Sequence, residues 1–125
     1  MSEKFFLQQA PFVVPTTDGK LIEEHVGPVT TGENNLSVAH MVAPPGWSEP
    51  HQNPEFDEYT LMVRGRKQIE INGETVTLKP GESILVKKGV RVQYSNPFEE
   101  EAEYWSVCIP AFSPESVNRE NDSST

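Results

Sequence analysis

The stretch KQIEINGETVTL, residues 67–78, constrains this chain more than any other. Ile69 and Ile71 share one face of a period-two segment, Asn72-Gly73 interrupts it, and ETVTL returns. Asn and Gly both tolerate the positive φ of a type I′ turn, so the segment reads as a β-hairpin. The same period recurs on either side. LSVAHMVA (36–43) alternates with Leu36, Val38, His40 and Val42 on one face, and EYTLMVR (58–64), SILVKK (83–88), VRVQY (90–94) and EYWSVCI (103–109) read as further strands. Arg64-Gly65-Arg66, Pro80-Gly81, Gly89 and the charged NPFEEE (96–101) supply the turns. No stretch sustains a helical period. Many short strands with regular turn signals predict an all-β sandwich or barrel.

A chain of 125 residues suits one domain with one core. Its net charge of −9 argues against nucleic acid, which needs clustered Lys and Arg, and against an anionic membrane surface. No run approaches the length of a membrane span, and the apolar run in MSEKFFLQQAPF is too short for a signal peptide. Cys108 has no internal partner, which is compatible with a reducing compartment. The expectation is a cytoplasmic protein. The apolar KFF and PFVVP predict that residues 1–15 form an arm packed on the body, and 113–125 read as a polar tail, disordered at its end.

Two Gly-bounded segments resemble the motifs of the cupin superfamily, whose members are small jelly-roll β-barrels. The first family motif runs G-x5-H-x-H-x3,4-E-x6-G. Here Gly46 precedes His51 one residue short of that spacing, Asn53 stands at the second histidine, Glu58 follows, and Gly65 closes the motif. The second, G-x5-P-x-G-x2-H-x3-N, matches at Gly81, Gly89 and Asn96, with Lys87 in place of the proline and Val92 in place of the histidine. The resemblance covers roughly residues 36–110 and implies a single cupin barrel over 1–112.

The resemblance also implies a divalent transition metal (Fe, Mn, Ni or Zn) inside the barrel, held by three His and one Glu. Imidazole and carboxylate suit such ions. By strand parity His51 and Asn53 share a face. His51 and Glu58 are then the metal ligands or acid–base groups, Asn53 is a weak ligand, and Val92 cannot coordinate. Glu55, His40 and Tyr94 are the candidates to complete the set. His40, Asn53, Met62, Val92 and Tyr94 are expected to line a ligand site, with Met62 and Val92 as its dry wall. The plainer alternatives are a buried His40 with one hydrogen bond, an acidic surface loop at Glu55 and Asp57, ordinary packing for Trp47 and Phe56, and an inert buried Cys108. The pair His51 and Glu58 is expected to meet inside the barrel.

Two functions follow. One is an enzyme acting as an isomerase, lyase or dioxygenase on a polar, carbohydrate-like or carboxylate metabolite. The other is a non-catalytic module that holds a small ligand in a degenerate site. Strands 58–64 and 103–109 carry apolar residues on both faces (Tyr59, Leu61 and Val63 against Met62; Tyr104 against Trp105), so a homodimer is expected to cover the outer one.

Overall fold

The computed structural model describes residues 4–120. Among the described residues nine strands form: β1 (Phe12–Val13), β2 (Leu21–Val26), β3 (Ser37–Ala43), β4 (Asp57–Arg64), β5 (Lys67–Ile71), β6 (Glu74–Leu78), β7 (Ser83–Val86), β8 (Val92–Ser95) and β9 (Ala102–Ile109). They build a six-stranded sheet in the order β1-β2-β3-β9-β4-β7 and a three-stranded sheet in the order β6-β5-β8, with every pairing antiparallel. The sheets face each other as a jelly roll, and Met62, Ile69, Leu78, Val86, Val92, Tyr94 and Tyr104 fill the space between them. Among the described residues no helix is long and apolar enough to cross a membrane.

The β5–β6 hairpin turns at Asn72 and Gly73, both at positive φ, as the Asn-Gly pair predicts. The β4–β5 turn depends on Gly65 for a different reason. A Cβ there would lie 2.0 Å from the Glu101 carbonyl oxygen, so only glycine lets the two backbones come this close. Asn96 joins three loops. Its buried Nδ2 donates to the carbonyls of Ala43, Pro44 and Glu100, and its Oδ1 accepts from Phe98 N–H.

Strand β2 (LIEEHV) was not expected from the sequence. It pairs with β3 and carries β1 at the sheet edge. The N-terminal arm is therefore joined to the body through its backbone, with Val14 N–H donating to Ile22 O at 2.9 Å and Gln8 Nε2 to His25 O at 2.8 Å. Its side chains are not covered: Phe5 and Leu7 are 69% and 68% exposed. Residues 1–3 of the expected arm and 121–125 of the expected tail lie outside the described residues.

Residues 113–120 fold back across one end of the barrel. Glu55 N–H donates to Ser116 O at 2.8 Å, Glu120 N–H donates to His51 O at 2.7 Å, and Val117 packs with Phe56 and Cys108. Phe56 and Phe112 meet edge to face at 5.8 Å.

Candidate functional site

The site starts from the parity of three strands. On β4, alternate residues Glu58, Thr60 and Met62 are buried and point inward, whereas Tyr59, Leu61 and Val63 face out. On β9, Ala102, Tyr104, Ser106 and Cys108 point inward. On β5, Lys67 shares the inner face with Ile69. Glu58, Ser106, Cys108 and Lys67 from these faces, with β2 and the segment before it, the 44–56 loop and the C-terminal segment, line an open-mouthed cavity of about 800 Å³. The cavity wall mixes apolar side chains (Met41, Phe56, Phe112 and Val117) with polar ones (Lys20, Glu49, Gln52, Glu58, Lys67, Tyr94, Ser106 and Cys108), drawn from both sheets.

Each polar group on that wall has a defined setting. Ser106 Oγ donates to Glu58 Oε2 at 2.5 Å. The Lys67 ammonium lies 3.8 Å from the ring centre of Tyr104 and 4.1 Å from that of Tyr94, a box of two aromatic faces. Lys20 stacks on Trp47 at 4.2 Å, and Trp47 Nε1 donates to Asp18 Oδ2 at 2.7 Å. Burial opposes the charge on Lys20, but Tyr104 and Glu49 outweigh it, and its pKa is raised. Burial pushes the Glu49 carboxyl up against the pull of Lys20, and of Arg119 at 3.4 Å. Burial and the Glu58 and Glu49 carboxylates drive the Tyr94 phenol well above its usual value. Burial and Glu58 likewise drive up the Cys108 thiol, which is free, buried and therefore a poor nucleophile. The hydroxyls of Thr60, Tyr94 and Tyr104 are buried without a hydrogen-bond partner of good geometry.

Of the residues expected from the sequence, Glu58 and Tyr94 line the cavity, and Met62 and Val92 lie in the packed core. The expected meeting of His51 with Glu58 is not made. His51 Nε2 contacts Glu70 Oε1 at 3.2 Å, on the face of β5 opposite Lys67. The reason is a one-residue offset: Gln52, not His51, bridges to Val92 and is buried, so its neighbours His51 and Asn53 turn away and Asn53 is exposed. Counting the family spacing strictly from Gly46 gives the same answer. It places Gln52 and Pro54 at the two histidine positions and keeps Glu58 in the pattern. Glu55 is also outside, held by Asn118 Nδ2 at 2.8 Å.

His40 is the second correction. It was expected to point into the barrel, but it lies on the outer face of β3, with Nδ1 2.8 Å from Glu23 and Nε2 2.7 Å from Glu103. The inner face of β3 is Ser37, Ala39, Met41 and Ala43, less apolar than the outer one because it borders a polar cavity. Trp105 packs between His40 and His25 at 5.1 and 4.9 Å. Three functional candidates escaped sequence reasoning: Lys20, Lys67 and Gln52. Lys67 was within reach, because strand parity places it with Ile69 and Ile71. Nothing in the sequence marked Lys20.

The residues present do not fit the metal that the motif implies. At the four ligand positions stand Gln52, Pro54, Glu58 and Val92; two have no donor atom, one offers a weak amide oxygen, and only Glu58 is a good ligand. Among the described residues no group of three or more His, Cys, Asp and Glu side chains converges on one point.

A jelly roll around a cavity lined partly by buried polar side chains defines the class: a small β-barrel with an internal cavity. Residues 39–109 match the family model described as Cupin domain, and the chain belongs to the cupin family. It is 48% identical over 108 residues to a Myxococcus xanthus (strain DK1622) protein named endoribonuclease YbeY, covering 86% of this chain but 37% of that protein. It is 30% identical over 70 residues to the tetracenomycin polyketide synthase protein TcmJ of Streptomyces glaucescens, covering 55% of this chain and 47% of the relative. The chain thus spans less than half the length of these two curated relatives. Among solved structures, Streptomyces PAC13 with uridine superposes with a TM-score of 0.74 at 16% identity, over 96% of this chain and 92% of that one. That likeness shows the fold.

Proposed function

We propose that this protein is a small-molecule cupin that takes a polar organic metabolite into its barrel and acts on it by proton transfer, as an isomerase or lyase. One observation carries the reading. Glu58, a buried carboxylate bonded by a single hydroxyl, borders the same cavity as the ammonium groups of Lys20 and Lys67 and the phenol of Tyr94. Carboxylate, ammonium and phenol converging on one cavity are the parts of a general acid–base site. A dioxygenase would need a redox metal, and the donor set at the motif positions does not suit one, so no step is derived through a metal. The endoribonuclease named for the Myxococcus relative is not carried over, since this chain spans 37% of that protein and bears a net charge of −9.

The reading includes a homodimer formed through the outer face of the large sheet, where Leu61 and Val63 are 45% and 48% exposed. It also places the chain in the cytoplasm, which suits a single, free, buried thiol. The test is a thermal-shift screen of polar metabolites, with nucleosides such as uridine among the probes, followed by NMR of each hit with enzyme. A ligand that raises Tm and is converted by the wild type, but only bound by Glu58→Gln, supports the enzyme. Hits that bind and are never converted make the protein a non-catalytic binding module. A screen with no hit of any class overturns the small-molecule reading itself.

A further inference from the structure

Lys67 is the least explained charged group in the molecule. It is 2% exposed and lines the cavity, yet among the described residues it has no carboxylate within 4.0 Å and no hydrogen-bond acceptor. Its ammonium lies over the faces of Tyr94 and Tyr104, with the Glu49 carboxyl close enough to feel its field but too far to pair with it. Two aromatic faces offset part of the cost of burying an ammonium but accept none of its three N–H bonds in line. A donor that opens on a cavity and finds no acceptor in the surrounding protein is free to meet an oxygen that arrives with a ligand.

The placement of the carboxylate says what kind of oxygen. Glu58 enters from β4 in the six-stranded sheet and Lys67 from β5 in the three-stranded sheet, so the two reach the cavity from opposite walls. A ligand lying between them has the base on one side and the cation on the other. A dianion such as a phosphate would meet the fields of both Glu58 and Glu49. A neutral carbonyl compound brings no charge in. It acquires a negative oxygen only when Glu58 removes a proton from it.

We propose that Lys67 is the oxyanion-holding group of this cavity and that the ligand is a neutral, enolisable ketone or aldehyde with an apolar or aromatic body. The inference rests on the proton-transfer reading above and names its substrate class. In the step, the C–H bond next to the carbonyl breaks and its proton forms an O–H bond on Glu58. The electron pair becomes the new C=C bond, and the former carbonyl pair moves to oxygen as an enolate. The Lys67 ammonium donates hydrogen bonds to that oxygen. Where a β,γ C=C bond is conjugated with the enolate, Glu58 returns the proton to the γ-carbon, the C=O re-forms and the double bond has moved; where the β-carbon carries a hydroxyl, the C=O re-forms, an α,β C=C bond forms and the hydroxyl leaves with its bonding pair and the Glu58 proton as water. The net charge of the cavity does not change in the proton transfer, which a low-dielectric interior requires. The apolar side chains of Met41, Phe56, Phe112 and Val117 receive the body of the ligand.

A phenolate mimics an enolate in charge and planarity, so 4-nitrophenol is the probe, read by the visible absorbance of its anion. In wild-type protein the bound probe is expected to favour phenolate about tenfold over its balance in buffer, an apparent pKa about one unit lower. Lys67→Met should abolish the preference, Lys67→Arg should keep most of it, and Glu58→Gln should strengthen it by removing the opposing charge. The wild-type titration stands alone if Lys67→Met does not fold. A bound probe with its buffer pKa unchanged, or a shift that survives Lys67→Met, overturns the role of Lys67 while the small-molecule reading stands. No binding of the probe, with other metabolites binding in the screen, overturns the substrate class in the same way.

Discussion

The outside and the inside of this barrel handle positive charge in opposite ways. On the outer face of β2, β3 and β9, His40 is held between Glu23 and Glu103 at 2.8 and 2.7 Å, and Arg64 reaches the same Glu103 at 3.2 Å. On the inner face, Lys67 has aromatic rings for neighbours and no carboxylate within 4.0 Å. Pairs cost little to build where water still helps, and they contribute little. An ammonium left open in the interior is a loss of stability that packing alone would not retain. The difference separates residues that serve the frame from those that serve a ligand.

Adjacent residues on β9 give the largest test of that contrast. Tyr104 points inward and is fully buried, and Trp105 points outward between two imidazoles. Tyr104→Ala is expected to cost about 3–5 kcal/mol in urea unfolding, and Trp105→Ala about 1–2 kcal/mol. The Trp105 loss should grow with protein concentration as the outer face pairs in the proposed homodimer; equal losses at every concentration would break the contrast. Lys67→Met comes next and has the opposite sign. Replacing an open ammonium with a thioether of similar length should raise the unfolding free energy by about 1–3 kcal/mol. A destabilised Lys67→Met would mean that the lysine supports the fold rather than a ligand.

A smaller change sharpens the register. Gln52→His with Val92→His places two imidazoles beside Glu58 and should raise Zn or Mn affinity about tenfold or more, by elemental analysis and calorimetry. Asn53→His with Val92→His should not, because Asn53 faces solvent. Equal gains from the two double variants would put the inward face back at His51 and Asn53.

The smallest effect is in the pH profile. Its two hydrogen-bonded carboxylates raise the His40 pKa above 6.5 although burial opposes them. A raised folded value gives stability that is full below pH 6.5 and fades as pH climbs through the folded value. His40 lowers the Glu103 pKa below 4.5, with help from Arg64, so that share is full above pH 4.5 and fades on acidification. The cluster is therefore strongest between pH 4.5 and 6.5, and urea midpoints measured across pH should lose the alkaline decline in His40→Gln. An unchanged decline would assign it elsewhere.

Much of the frame was legible in the sequence because one signal dominated each element. β4 and β9 are continuous runs rich in apolar, aromatic and β-branched residues, and Asn72-Gly73 fixes the hairpin and its register. β2 was missed because LIEEHV is half-exposed along most of its length and its Glu and His residues leave period two no apolar stripe. β3 was found but turned over. Its outer residues Val38 and Val42 are more apolar than Ser37 and Ala39, which face a cavity rather than a packed core. The site was less legible for the same reason. Hydrophobic patterning assumes that inside means dry, and here part of the inner wall is polar. In the 44–56 loop alternation does not hold from end to end, and the distance from Gly46 is the better guide.

The way Gly65 and Asn96 are used has a consequence for how such chains are recognised. The family motif carries two superimposed messages. One addresses the backbone: Gly65 because any side chain would strike Glu101, and Asn96 because it ties three loops. The other addresses the metal, through the histidines. This chain keeps the first message and has rewritten the second. A pattern search weighted on histidines discards such a chain, and one weighted on glycines and the closing asparagine retains it. The two halves of the motif are therefore separable, so that one backbone frame can hold cavities of different chemistry.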